Sequence, residues 1–287
     1  MTLAHAPHAR GARRVGFLPR VTRGLVVGLV PMAPVLAADN AASHEWGGAV
    51  TLVASRSPDY LGARDAGTSL RPGFLLTWGR VTLSSGGGFA ATRQDKVVRG
   101  LGVELARTEQ LRVSLGLRFD GGRSEADSPA LKGMGDVKAT VRARVGASWQ
   151  LDPLWRAEGS WTVDAFQRGG GNLVELSLER EQWIAAHTQL SAGAALTLGG
   201  PRYLQTYFGV TPEQAARTSY APYDPSLGLR DVSAFVSLKT DLGAQVVLMG
   251  ALSLSRVVGA AAASPLVVRA TSLGVTTGLR HGSCERL

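Results

Sequence analysis

The sequence contains a single cysteine, Cys284, among 287 residues. One cysteine cannot form a disulfide within the chain or supply a cysteine-rich metal site. Phosphate-binding loops are also lacking, because the glycine-rich stretches at 84–89 and 168–172 have no Lys-Ser/Thr ending before a helix. The sequence therefore predicts no metal ion, nucleotide or other cofactor.

Charged residues are scarce, at 18% of the chain, although the formal net charge is +9. Five of the 31 basic residues lie before residue 24, where there is no acidic residue, and 22 acidic residues nearly balance the rest. The remaining basic residues are dispersed through apolar segments, and aromatic residues make up only 6% of the chain. This pattern argues against binding to nucleic acid, which favours a clustered basic patch.

Long apolar runs are absent beyond residue 40, so no transmembrane helix is predicted there. Before it, an apolar stretch from Leu25 to Ala37 follows a basic region that ends at Arg23, and small or apolar residues precede Ala38. This order is typical of an export signal, whereas the two prolines in the stretch disfavour a spanning helix. A buried helix of a cytosolic protein is the alternative. We predict a signal peptide at 1–37 and the mature protein at 38–287.

Alternation of apolar and polar residues dominates the mature chain. In DVKATVRARVGASW at 136–149, valine, alanine and tryptophan occupy every second position, and Lys138, Arg142 and Arg144 fall between them. LRVSLGLRF at 111–119 repeats the pattern. A period of two indicates β-strands whose two faces meet different surroundings.

Alternation alone also fits a soluble sandwich, so segment lengths decide between the two folds. The alternating segments are about ten residues or longer, whereas strands of soluble proteins average ~5–6. Short and long links alternate, as in outer-membrane barrels. The short links fall near 79–80, 108–110, 152–153 and 241–243, with a less distinct one near 184–186. The long links fall at 56–66, 91–96, 121–134, 167–171, 201–228 and 259–267. The sequence therefore predicts an all-β fold, a single antiparallel transmembrane β-barrel of about 12 strands, with long extracellular loops and short periplasmic turns, in the outer membrane of a Gram-negative cell.

The energetics of lipid exposure predict which strand face points inward. An arginine facing lipid near the bilayer midplane costs ~2–4 kcal/mol, so the charged positions are expected to line the lumen. Tryptophans near predicted strand ends, Trp46, Trp78, Trp149, Trp155 and Trp183, fit an interfacial belt. The predicted lumen-lining residues are Arg112, Arg118, Lys138, Arg142, Arg144, Arg156, Glu158, Asp164, Glu175 and Glu179.

The predicted lumen places five cations on two adjacent strands and all four acids on the next two, where Arg156 adds one opposing charge. Opposite charges on neighbouring strands stabilise one another, and in a narrow pore they also create a transverse field. Barrels of eight strands are filled and those of sixteen form open channels. A barrel of twelve strands lies between them, so the sequence leaves both a sealed and an open lumen possible.

A catalytic site is not indicated by the polar residues of the strands. His187 and Ser191 are close in sequence, but no Asp or Asn is placed to complete a hydrolase triad. Glu175 and Glu179 share a predicted strand face, where their spacing suits compensation of the lumen cations. We therefore predict that the protein is not an enzyme.

Four stretches carry a resemblance to a known family. They are SPDYLGA at 57–63, YFGVTPEQAARTS at 207–219, YDPSLGLRDV at 223–232 and SRVVGAAAASPLV at 255–267. In this order and spacing they resemble the MipA/OmpV family, named in part for the MltA-interacting protein, over about residues 43 to 280.

The resemblance implies an outer-membrane β-barrel and two kinds of function. The best-known member is held to link a murein-degrading lytic transglycosylase to a murein synthase, and other members are described as porins. A non-enzymatic scaffold for murein-processing enzymes is therefore the first expectation, with outer-membrane lipid as its surroundings. The alternative is a small-solute porin or channel with a charge-lined lumen.

Processing of the N-terminus tests the export prediction. The mature protein should begin near Ala38, because small or apolar residues precede it directly after the apolar stretch. N-terminal sequencing of the protein from purified outer membranes measures this. Retention of Met1 in that material would contradict the prediction.

Overall fold

The computed structural model of the protein describes residues 46–85 and 100–283. The predicted signal peptide and the link predicted at 91–96 lie outside these residues. The described chain forms twelve strands in one closed barrel, which confirms the predicted transmembrane fold class. No helix in this part of the chain is long and apolar enough to cross a membrane. The strands are β1 (Trp46–Pro58), β2 (Ala66–Trp78), β3 (Val81–Ser84), β4 (Gly100–Arg107), β5 (Leu111–Asp120), β6 (Thr140–Gln150), β7 (Trp155–Asp164), β8 (Asn172–Ala185), β9 (Thr188–Gly199), β10 (Gly228–Asp241), β11 (Val246–Val257) and β12 (Thr271–Ser283).

Closure of the barrel depends on the pairing of its first and last strands. β1 and β12 are antiparallel, from Gly48 opposite Ser283 to Arg56 opposite Val275. Every other strand pairs with its two neighbours in sequence. The order of strands thus closes into a ring, as a hydrocarbon environment favours, although β3 pairs with β2 over Leu75–Trp78 only.

The two faces of the barrel wall differ in polarity, as the alternation predicts. On the outside, Leu115, Val145 and Trp161 lie side by side on β5, β6 and β7 and are all exposed. One residue away, Arg144 points to the opposite face, beside Thr162. An apolar band of this extent is costly in water and suits the lipid interior. We call the face that carries Arg144 the inner face.

The strand connections differ between the two ends of the barrel. At the short-turn end the links are 79–80, 108–110, 151–154, 186–187 and 242–245. At the opposite end, the long-loop end, the residues that the structure describes form three helices and two short 3-10 turns. The helices are α1 (Pro201–Phe208), α2 (Pro212–Ala215) and α3 (Gly259–Ala262), and the turns are Glu125–Asp127 and Pro129–Leu131. We define the cap as the described long loops, residues 59–65, 121–139, 165–171, 200–227 and 258–270.

Five tryptophans form a girdle at the short-turn end. Trp46 and Trp78 lie at the ends of paired strands, and their rings stack with centroids 5.7 Å apart. Trp149, Trp155 and Trp183 occupy the corresponding ends of β6, β7 and β8, and all five side chains are exposed. Amphipathic aromatic rings favour the interface between lipid and water, so the girdle suits one membrane boundary.

The inner face carries most of the predicted charges on one side, which we call the charged sector, whereas the side formed by β1, β2 and β11 is mixed, with Arg71 opposite Val53 and Arg280 opposite Val247. Ala49, Val53, Leu75 and Val247 are buried on the inner sides of β1, β2 and β11. Nine of the ten predicted lumen residues, all but Lys138, lie on the strands from β5 to β8, on the other side of the barrel. The functional analysis therefore concentrates on the charged sector and on the cap above it.

The facing of β8 gives a direct test of the membrane-spanning wall. Leu176 is exposed on the outer face opposite Gly159, the middle of β7, whereas Ser177 lies on the inner face opposite Glu158. Leu176→Arg should lower the free energy of unfolding by ~2–4 kcal/mol because the cation meets lipid. Ser177→Arg should cost far less, since Glu158 is its neighbour.

Denaturant unfolding of both variants in lipid vesicles measures the difference. Equal losses of stability in the two variants would show that the assignment of faces is wrong.

Candidate functional site

Helix α1 leaves the barrel wall directly after β9. Pro201 occupies its first turn, where the fixed φ of proline suits a helix and no N–H is needed. The helix ends at Phe208, and the N–H of the next residue, Gly209, bonds back to two carbonyls of the last turn. One side of the helix is buried, and its buried residues are Tyr203, Leu204 and Phe208.

The buried side of α1 touches opposite walls of the barrel. Leu204 and Phe208 belong to one hydrophobic cluster with Val257, the last residue of β11. On the other side, the Tyr203 ring lies against Arg142 of β6. β6 and β11 are five strands apart in a ring of twelve. Helix α1 therefore lies across the long-loop mouth of the barrel.

A stacked pair of tyrosines forms the centre of this crossing. The Tyr203 and Tyr207 ring centroids are 4.6 Å apart. The guanidinium groups of Arg142 and Arg230 lie 5.5 Å and 5.4 Å from the Tyr203 centroid. Arg123 lies 5.7 Å from the Tyr207 centroid. Cations in such positions are attracted by the ring quadrupole, so arginines from three elements hold the helix through its tyrosines.

The Tyr207 hydroxyl also takes part in hydrogen bonding. Burial raises the pKa of Tyr207, so the phenol stays neutral at physiological pH. Arg142 donates to its oxygen at 3.4 Å. The contact therefore couples a neutral acceptor on the helix to a cation on the barrel wall.

A β-bulge in β10 supplies the second anchor for α1. Leu229 pairs with Leu198 and Asp231 with Thr197, so Arg230 is an extra residue in the strand. Such a bulge re-aims side chains, and both Arg230 and Asp231 are buried. Arg230 donates to Asp231, to the Tyr203 hydroxyl at 2.9 Å and to Thr197 at 3.4 Å. Asp231 balances the charge of Arg230, which can then hold the helix without an uncompensated charge.

Arg142 joins the barrel wall to the cap. Its side chain is only 2% exposed, forms an ion pair with Asp120 and donates to the Gly170 carbonyl at 3.0 Å. Asp164 lies opposite Arg142 in the strand register, and its carboxylate accepts from Thr140 and from the Gly170 N–H. Arg142 and Asp164 thus both bind the glycine-rich loop at 165–171 and hold it against the wall.

A belt of ion pairs crosses the charged sector below the cap. These pairs keep partial exposure; the Arg112 and Arg144 side chains, for example, are 28% and 23% exposed. The lumen is therefore not packed shut at this level. The pairs are Arg112 with Glu104 at 3.0 Å, Arg144 with Glu158, and Arg156 with Glu179 at 3.6 Å and with Glu181 at 3.4 Å.

The structure places the predicted lumen residues in two environments. Lys138 lies in the cap, two residues before β6 begins, although the alternation predicts it within the strand. The other nine lie on the inner-face positions of β5 to β8, and they are Arg112, Arg118, Arg142, Arg144, Arg156, Glu158, Asp164, Glu175 and Glu179. His187 lies in the short turn between β8 and β9. No group of His, Cys, Asp or Glu within the described residues is arranged to hold a metal ion.

Sequence reasoning missed several members of these networks. One signal was available, because apolar residues occupy odd positions up to Leu229 and even positions from Val232, which marks the bulge. The tyrosines at 203 and 207 have helical spacing, but nothing local shows that their helix crosses the barrel. The missed residues are Glu104, Asp120, Arg123, Glu181, Tyr203, Tyr207, Arg230 and Asp231.

The loops of the cap are joined to one another by side chains that donate to backbone carbonyls. These bonds link all five described loops, so the cap is one connected layer over the mouth. The donor and acceptor pairs are Tyr60 to Leu266, Arg123 to Tyr207, Thr206 to Gly169, Gln214 to Met134, Tyr220 to Ala130, Tyr223 to Ala260, and Ser264 to Phe208.

The two central arginines of β6 should differ in their contribution to stability. Arg142→Met leaves the Asp120 carboxylate without its ion-pair partner in a mostly buried site, and should lower the free energy of unfolding by about 3 kcal/mol. Arg144→Met removes a partly exposed pair and should cost about 1 kcal/mol or less. Urea unfolding in lipid vesicles compares them, and a larger loss for Arg144→Met would contradict the network described above.

Comparison with known proteins gives a family match over most of the chain. The model of the family described as MltA-interacting protein MipA matches residues 50–282. A search of curated proteins finds no match.

Solved structures that are similar in fold to this chain include two porins. A NanC porin has a TM-score of 0.44 and 8% identity over 81% of this chain and 98% of its own. An anion-selective porin from Comamonas acidovorans has a TM-score of 0.37 and 11% identity over 83% of this chain and 99% of its own. The family match, by contrast, runs from the first strand of the barrel to the last, and the chain therefore belongs to the MipA family of outer-membrane β-barrel proteins.

Proposed function

We propose that this outer-membrane barrel is a non-enzymatic scaffold that anchors murein-processing enzymes. The observation that carries the proposal is α1, which crosses the mouth of the barrel and is held from opposite walls. A barrel closed in this way is suited to anchoring a partner and poorly suited to passing solutes. The family description supplies the partner, since it names an interaction with MltA, a lytic transglycosylase. A murein synthase is the second proposed partner.

The packing of α1 argues against spontaneous opening of the mouth. Leu204 and Phe208 are almost completely buried, and each such side chain contributes ~1.5–3 kcal/mol when it is removed from water. Together they favour the closed position by at most ~3–6 kcal/mol. The arginine contacts to Tyr203 and Tyr207 add to this preference.

The short-turn end offers contact points for a periplasmic partner. Murein lies in the periplasm, and short turns face that side in outer-membrane barrels. Leu151 and Leu154 in the β6–β7 turn and Leu242 in the β10–β11 turn are exposed beyond the strand ends. Apolar side chains at such positions supply buried contact area when a protein docks.

A small-solute channel is the second candidate, and the ion-pair belt favours it. Arg112, Arg144, Glu104 and Glu158 are all partly exposed inside the barrel. If α1 left the mouth, ions could pass through the water that surrounds these charges. Under this alternative the charged sector sets ion selectivity, and α1 acts as a gate.

Single-channel recording combined with partner titration tests the proposal. The unmodified protein in a planar bilayer should show no conductance, because α1 blocks the mouth. Replacing residues 201–221 with a short Gly-Ser linker should produce conductance if the block is at that level. Steady conductance of the unmodified protein would overturn the scaffold in favour of the channel.

The scaffold itself is tested with a purified lytic transglycosylase of the MltA type. It should bind the full-length protein in lipid nanodiscs, and Leu151→Ser with Leu154→Ser should weaken binding about tenfold. Leu227→Ser, at an exposed leucine of the cap, is the matched control and should have no effect. Absence of binding, or an equal loss in the control, would reject the proposed docking end.

A further inference from the structure

A polar cavity of about 740 Å³ lies within the cap, outside the belt of ion pairs. Its walls come from the loop at 121–139, the loop at 165–171 and the segment that contains α1 and α2. Its size falls within the range of small-molecule sites. The lining includes three cations, Arg123, Lys138 and Arg168, and three amides, Gln167, Gln205 and Gln214.

The acid that lines this cavity is already engaged by its own loop. Asp136 accepts hydrogen bonds from the Glu125 N–H at 2.8 Å and from the Ser124 hydroxyl at 2.9 Å. These two bonds hold the pKa of Asp136 below its usual range. The carboxylate therefore stabilises the turn at 124–127, and the three cations leave the cavity with a net positive charge.

Among the three cations, Arg123 gives the clearest indication of the kind of ligand that the cavity binds. The residue is only 8% exposed, yet within the described part of the chain it forms no ion pair with a carboxylate. One guanidinium nitrogen donates to the Tyr207 carbonyl at 2.9 Å, whereas Nε is buried without a hydrogen-bond partner. Burial lowers the pKa of Arg123, although a guanidinium still carries its charge at neutral pH. The Tyr207 ring stabilises this cation, and an anion in the cavity would add the charge compensation that no carboxylate of the described chain supplies at ion-pair distance.

Gln205 lies on another wall of the cavity and also has a polar side-chain atom without a hydrogen-bond partner in the described chain. Its Oε1 atom is buried and has no hydrogen-bond donor among the described residues. Because Arg123 Nε and this Oε1 atom are both shielded from solvent, a ligand in the cavity meets other atoms of these side chains. A ligand that carries both an acidic group and hydroxyls complements the cations and the amides of the lining.

Gln167 adds a feature of the backbone at the same cavity. Its φ of 53° is the one positive φ found at a non-glycine residue in the described chain. Glycines at 169 and 171 also have positive φ, so this loop uses the left-handed region repeatedly. A glutamine held in that conformation costs ~1–2 kcal/mol and keeps an amide at the cavity wall.

We propose that this cavity binds a small hydroxylated organic anion, of the size and class of a sugar acid. The carboxylate lies against Arg123, with Lys138 and Arg168 supplying further positive charge. Hydroxyl groups bind the amides of Gln167 and Gln205. The site belongs to the cap alone, so it is independent of whether the lumen conducts and of the docking end at the short turns.

Calorimetric titration of the full-length protein in nanodiscs tests the site with three probes. D-glucuronate carries both groups, D-glucose lacks the charge, and acetate lacks the hydroxyls. Glucuronate should bind at least about tenfold more tightly than either of the other probes, because charge-assisted and neutral hydrogen bonds both contribute. No saturable binding of glucuronate, or equal binding of glucose or acetate, would overturn the proposal.

Matched variants locate the binding within the cap. Arg123→Gln should weaken glucuronate binding about tenfold or more, and Lys138→Gln should weaken it by a smaller factor. Lys138 is exposed, so its variant is informative even if loss of Arg123 loosens the cap. Arg64→Gln, at an exposed arginine of the cap that does not line the cavity, is the control and should bind normally. Binding unchanged by Lys138→Gln and Arg123→Gln, or equally weakened by Arg64→Gln, would place the ligand elsewhere and reject the site.

Discussion

The pairing of β1 with β12 is the constraint on which the rest of the structure depends. Inside a bilayer an unpaired backbone group has no water to bond to, so a sheet that spans it must close. Closure fixes which residues face one another around the ring, and it turns alternation along each strand into two distinct surfaces. The apolar surface meets lipid and the charged sector is held inside, where its members find partners on neighbouring strands.

Charge placed inside a closed wall has to be neutralised locally, and the barrel does this at two levels. In the belt, partly exposed arginines and carboxylates pair across adjacent strands. Nearer the mouth, Arg142 and Arg230 are almost fully buried, and each combines a carboxylate with contacts to the tyrosines of α1. The arginines that stabilise the wall therefore also hold the cap. In the proposed scaffold this coupling ties the closed state of the mouth to the integrity of the barrel itself.

The sequence contains enough information for the barrel and much less for the cap. A period of two predicts β5 and β6 and their faces, because each strand is half in lipid and local pattern follows that boundary. The predicted strand that includes Lys138 starts too early, since the chain leaves the wall before Thr140 while alternation continues. Pattern alone cannot show where a strand stops being part of the sheet.

The contacts of α1 lie further beyond the reach of sequence reasoning. Tyr203 meets Arg142 and Arg230, which are distant in sequence and are brought together only by closure of the ring. The bulge at Arg230 can be recognised in the sequence, because the apolar residues change there from odd to even positions. The sequence does not show that Arg230 contacts Tyr203. Asp120 ends β5 in an ordinary position, and only the register with β6 makes it the counterion of Arg142.

The bonds that join the cap loops have a consequence for how this surface can evolve. In each of them a side chain donates to a backbone carbonyl on another loop, as Tyr60 does to Leu266 and Tyr220 to Ala130. A carbonyl is present whatever residue occupies the accepting position, so mutations at many acceptor positions leave the bond intact. These cross-loop bonds thus depend on a small set of donors, and the exposed residues between the donors can change without breaking them. Substitutions can therefore change the residues that the cap exposes while the mouth of the barrel stays closed.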